Sequence, residues 1–260
     1  LIKVENLSRQ YGTLWAVKDL SFEIADGQVY GLLGPNGAGK STTVKIMVGM
    51  LAATTGEITI NGLNIRTDGN AIKANLGYVP ESCALYENLT GREHLEMVCN
   101  LHHLPVEGIE SQVDKLIELL DLKDAADKRI AGYSKGMKQK LLLAGGIIHN
   151  PRVLILDEPL SGLDANAQSL FRELIKEFAR DNRIVIFCSH VLEVVERICD
   201  QLLIIDRGKK LTEGTPQQIM QNLQVSTLGE AFSRLTGVTD IDDQARGILR
   251  AIERGNGDNG

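Results

Sequence analysis

The chain changes texture several times, and the changes outline its architecture. Its first thirty residues carry short apolar stretches of β character. IKVENLSRQYG and LWAVKDLSFEI read as two strands that return on one another, and the turn ADG leads into a third apolar run, QVYGLL. The spacing predicts a helix over 42–51 and then a strand, GEITINGLNI, folded around an Asn61–Gly62 turn. From about 87 to 131 the apolar residues recur with a helical period, in LTGREHLEMVCNLHHL and then IESQVDKLIELLDL. Strand–helix alternation resumes with VLILDE at 153–158, a helix over 165–181, the run RIVIFCSH, another helix and QLLIIDRGKKL. Beyond Glu213 the segments are short and helical (IMQNL, TLGEAFSRLTG), and the terminal GNGDNG has the polar, glycine-rich makeup of a disordered tail. The expected class is α/β, with a mainly parallel sheet, an N-terminal antiparallel β-subdomain and a helical subdomain inserted at about 87–150. One domain is expected over 1–237, with 238–260 as a short extension.

Composition narrows the function classes. At 260 residues and 43% hydrophobic, the chain can bury a substantial core. A net charge of -6 supplies no basic footprint for nucleic acid, so none is expected as a partner. Cys83, Cys99, Cys188 and Cys199 form no CxxC pair and no zinc spacing; they read as reduced, buried small side chains of a cytoplasmic protein without a signal peptide. The longest apolar runs, such as LLLAGGII at 141–148, fall well short of the roughly 20 residues of a membrane helix. Any membrane role is therefore expected to come through a partner.

The chemistry concentrates in GPNGAGKST, residues 34–42, placed between a strand and a helix. Glycines let successive backbone N–H groups converge on an anion, and the helix that follows adds its unpaired N–H groups and positive dipole end. The stretch fits G-x-x-x-x-G-K-[ST], the phosphate loop of the P-loop NTPases. Gly34, Asn36, Gly37, Ala38, Gly39, Lys40, Ser41 and Thr42 form the expected nucleotide cradle, with Lys40 on the β- and γ-phosphates and the Ser41 hydroxyl on Mg²⁺. A second signal is VLILDEP: a wholly apolar strand ending in Asp157, which can hold Mg²⁺, followed by Glu158, placed to polarise an attacking water. The pair makes hydrolysis plausible as well as binding.

With YSKGM at 133–137, SGLD at 161–164 and CSH at 188–190, the ordered set resembles an ATP-binding-cassette (ABC) ATPase over about residues 1–237. The resemblance implies ATP and Mg²⁺ as cofactors. It implies that Ser134 and Gly136, at the start of a helix, bind the γ-phosphate held by an opposite subunit, and that Asp164 meets that partner's phosphate loop. His190 matches the histidine that contacts the γ-phosphate, and Tyr11 the position that stacks on adenine. Glu81, in YVPESCALYENLT, stands where the family carries a glutamine that senses Mg²⁺ and the membrane subunit. Lys135 replaces a glycine of the family's turn, where it either adds positive charge near phosphate or, the favoured reading, points to solvent, and Met137 replaces a glutamine. YVPE, YSKGM and the short tail most resemble ATPase subunits of multidrug-type exporters. The implied assembly is a homodimer or heterodimer of nucleotide-binding subunits on a separate polytopic membrane subunit, at the inner face of the membrane. The alternatives are a soluble ABC ATPase acting on ribosomes or DNA, or a nucleotide sensor without hydrolysis. A single cassette, the absence of sustained heptads between the phosphate loop and YSKGM, and Glu158 weigh against them.

Overall fold

The computed structural model describes residues 1–82 and 85–237, so Cys83 and the GNGDNG tail lie outside the described residues. In chain order the elements are β1 (Ile2–Tyr11), β2 (Leu14–Ile24), β3 (Val29–Leu33), α1 (Lys40–Met47), β4 (Thr55–Ile60), β5 (Leu63–Asn64), α2 (Gly69–Ala74) and β6 (Leu76–Val79). Three helices follow, α3 (Gly91–Leu101), α4 (Ile109–Leu119) and α5 (Lys135–Ile147). The chain then returns to β7 (Val153–Asp157), α6 (Ala165–Arg180), β8 (Ile184–Cys188), α7 (Leu192–Ile198), β9 (Gln201–Asp206), β10 (Lys209–Gly214), α8 (Pro216–Leu223) and α9 (Leu228–Thr236).

Two sheets organise these elements. An antiparallel sheet runs in the order β2-β1-β4-β5, and a larger one in the order β10-β9-β3-β8-β7-β6. All pairings in the larger sheet are parallel except β9 with β10. Strands β3, β7 and β8 are buried at every position, which is why VYGLL, VLILD and IVIFC are unbroken apolar runs rather than alternating ones. Along β3 the pleat splits the core in two. Tyr30 and Leu32 pack with the antiparallel sheet and α1, while Val29 and Leu33 join the apolar side chains of α3 to α7. The expected β-return at the N-terminus is the β1–β2 hairpin, and Asn61 and Gly62 turn β4 into β5 with φ of 51° and 83°.

One sequence expectation needs correction. Helix α1 covers Lys40–Met47 rather than 42–51. Gly39, at φ 108°, ends the phosphate loop directly at the helix cap, and Gly49, at φ 68°, is left-handed just beyond the helix end. The apolar residues that extended the pattern belong to the turn instead. QLLIIDRGKKL forms the hairpin β9–β10, turned at Arg207 and Gly208 with φ of 47° and 75°. The described cysteines Cys99, Cys188 and Cys199 are free and buried, as expected.

Candidate active site

The C-terminal ends of β3, β7 and β8 open onto a cleft of about 730 Å³. Strand β8 stands between β3 and β7, so the strand of Asp157 is not the direct neighbour of the strand leading into the phosphate loop. Glycine is needed in that loop for two different reasons. At Gly34 a Cβ would stand 2.3 Å from the Ile205 carbonyl oxygen, and at Gly39 2.5 Å from that of Ala16. At Gly37 nothing lies within 4 Å, but φ is +79°. The loop is pinned from behind, since the Gly208 N–H donates to the Ala38 carbonyl at 2.9 Å. Lys40 folds its ammonium onto this cradle, donating to the Gly34 and Pro35 carbonyls at 2.6 and 3.1 Å.

Opposite lie the carboxylates. Asp157 is only 6% exposed, and its pKa is pushed up to about 6, chiefly by burial and then by the charges of Glu81 and Glu158, against the pull of Lys40 and Lys45. Glu158 follows in the left-handed region at φ 51°, a strained conformation for a side chain this size. Its N–H donates to the Cys188 carbonyl at 2.9 Å, which fixes the turn. One carboxylate oxygen lies 2.8 Å from His190 Nδ1, and the other accepts from the Ser189 hydroxyl at 3.3 Å. The Glu158 side chain is 13% exposed while that of His190 is 75% exposed. Two partners thus hold a partly buried carboxylate at the cleft.

Glu81 and Ser41 line the same cleft, so Ser41, Glu81 and Asp157 offer one hydroxyl and two carboxylates. Hard oxygen donors of this kind suit Mg²⁺, which binds through one or two carboxylates together with phosphate oxygens rather than in an all-protein cage. Burial raises the Asp157 pKa most, and the charges of Glu81 and Glu158 add to it; a divalent cation would relieve that added charge.

At the rim, Tyr11 is 46% exposed with the Arg9 guanidinium 4.7 Å above its ring. Leu14 and Ala16 of β2 stand beside it, and Phe232 reaches the cleft from α9. Neither Ser189 nor Phe232 was singled out from sequence. Ser189 had a signal, its place beside His190 in CSH; Phe232 had none, because α9 reaches the cleft only through tertiary packing.

Ser134, Gly136 and Asp164 do not line this cleft. The Ser134 hydroxyl caps α5 by accepting from Met137 N–H at 3.2 Å, and Asp164 caps α6 by accepting from Ala167 N–H at 2.8 Å. Lys135 is exposed to solvent, as expected, and in addition donates through Nζ to the Ser161 hydroxyl at 2.9 Å.

Fold and cleft together define a P-loop nucleotide-binding domain. The family model for ABC transporters matches residues 17–161, and the chain belongs to that family. It is 36% identical over 219 residues to the Nod factor export ATP-binding protein I of Rhizobium meliloti (strain 1021), covering 84% of this chain and 65% of that relative. The chain thus spans just under two thirds of that relative's length. It is 33% identical over 240 residues to the linearmycin resistance ATP-binding protein LnrL of Bacillus subtilis (strain 168), covering 89% and 77%. Among solved structures, an ATP-binding subunit of an ABC transporter superposes with a TM-score of 0.85 at 31% identity, over 91% of this chain and 99% of that one. Among the described residues, no helix is long and apolar enough to cross a membrane.

Proposed function

We propose that the protein is the ATP-binding and ATP-hydrolysing subunit of an ABC exporter, driving a separate membrane subunit from the inner face of the membrane by ATP-dependent dimer closure. The observation that carries this reading is Glu158, in a strained turn beside Asp157 and held by His190 and Ser189 at the cleft of the phosphate loop. In this reading the backbone N–H groups of the loop and the Lys40 ammonium hold the β- and γ-phosphates, and Tyr11 stacks on the adenine. Ser41, Asp157 and Glu81 would hold Mg²⁺, which neutralises charge on the phosphate oxygens when bound. Glu158 orients the attacking water and accepts its proton, while His190 steadies Glu158 and approaches the γ-phosphate from the exposed side. Ser134, Gly136 and Asp164 do not line the chain's own cleft, which fits a role in closing over the nucleotide of a second subunit. Export as the direction of transport is supported by the relatives named for Nod factor export and linearmycin resistance.

The test is Glu158→Gln. It removes the proton acceptor while keeping the shape, and a general base contributes on the order of 10²–10⁴-fold. The expected result is retained MgATP binding with turnover reduced on that scale. Turnover equal to wild type would remove Glu158 from the reaction.

A further inference from the structure

The turn before α5 and the loop after β7 are joined by a side chain that the ABC resemblance places at a glycine position. Lys135 Nζ donates to the Ser161 hydroxyl at 2.9 Å. Its methylene stem lies across Gly162, where a Cβ would come 2.6 to 3.0 Å from the Lys135 Cγ, Cδ and Cε atoms. Gly162 is at φ +79°, so both its backbone and its surroundings call for glycine. A second contact lies alongside, since a Cβ at Gly136 would stand 3.2 Å from the Gly162 carbonyl oxygen. The loop itself is tied to the catalytic end, as Ser161 N–H donates to the Glu158 carbonyl at 3.2 Å. A continuous path therefore runs from Glu158 through Ser161 and Lys135 to Ser134. Neither Lys135 nor Ser161 lines the cleft of its own chain.

We infer that Lys135 is a positioning residue: it clamps the Ser161–Asp164 loop to the first turn of α5, so that loop and turn close on a second subunit's nucleotide as one unit. The inference rests on the reading of the chain as a dimerising ATPase. A glycine at this position could not make the clamp, because it has no side chain to reach Ser161. The clamp leaves binding by the single chain untouched and acts on the closed, reacting state, which makes it visible in kcat rather than in KM.

The experiment compares MgATP turnover of the full chain with that of Lys135→Met, Lys135→Arg, Ser161→Ala and the Lys135→Met/Ser161→Ala double variant. A hydrogen bond from a charged donor leads us to expect kcat to fall about three- to tenfold in Lys135→Met and in Ser161→Ala, with KM changed less than about twofold. The double variant should lose no more than either single one, and Lys135→Arg should keep most of the wild-type rate. Unchanged kcat in Lys135→Met, or losses that add in the double variant, would overturn the clamp. A raised KM at constant kcat, or a silent Ser161→Ala beside an impaired Lys135→Met, would overturn it too and put the ammonium on phosphate. Wild-type protein without turnover would overturn the ATPase reading and the clamp with it, whereas loss of the clamp alone leaves wild-type turnover standing.

Discussion

Asp157 is held where its charge costs the most, and that cost can be measured without nucleotide. Its carboxyl is raised from 3.8 to about 6, so between these values the folded chain binds the proton more tightly than the unfolded one. Stability contributed by the protonated form is full at acid pH and is lost as pH rises through about 6. Asp157→Asn removes the charge, and we expect the nucleotide-free protein in a chelating buffer to gain about 1–3 kcal/mol at pH 7.5, the gain fading towards pH 4. Urea unfolding at the two pH values checks it; a variant no more stable than wild type at pH 7.5 would show that the fold already neutralises Asp157. Single residues were readable in the sequence where chemistry limits the choice of type, as with Asp157 and Glu158 at the end of an apolar strand. Ser189 was not, because its hydroxyl matters only through the 3.3 Å approach to Glu158, which depends on how β7 and β8 pair.

In the phosphate loop, packing and backbone make separable demands. Gly34→Ala drives a methyl group to 2.3 Å from a backbone oxygen of the neighbouring strand, which has no flexible side chain to yield. We expect a loss of more than about 2 kcal/mol in the nucleotide-free protein. Gly37→Ala meets empty space and carries only the left-handed penalty, about 1 kcal/mol. Thermal melting of the two variants should rank them in that order, and equal melting points would mean that the loop relaxes away from Ile205. The buried strands β3, β7 and β8 were visible beforehand, since a parallel sheet covered on both faces leaves an unbroken apolar run. The end of α1 was not, because it is set by positive φ at Gly49, inside a stretch whose apolar pattern continues through Met50 and Leu51.

For the molecule as a whole, the order of motifs along the chain pointed to the family, while strand order and the Lys135–Ser161 contact depend on long-range pairing that no local pattern carries. The cleft holds the phosphate loop, Asp157, Glu158 and His190, but Ser134 and Gly136 do not line it. In the proposed cycle, a second copy supplies these two residues and the γ-phosphate bridges the two chains, so hydrolysis removes the charge that holds the pair closed. Sedimentation of Glu158→Gln tests this most directly, because the variant retains the bridging phosphate. With MgATP it should run as a dimer, return to monomer with ADP, and stay monomeric while still binding ATP once Ser134→Arg is added. A Glu158→Gln protein that remains monomeric at saturating MgATP, alone and with its membrane subunit, would contradict the account and require the site to be completed within one chain.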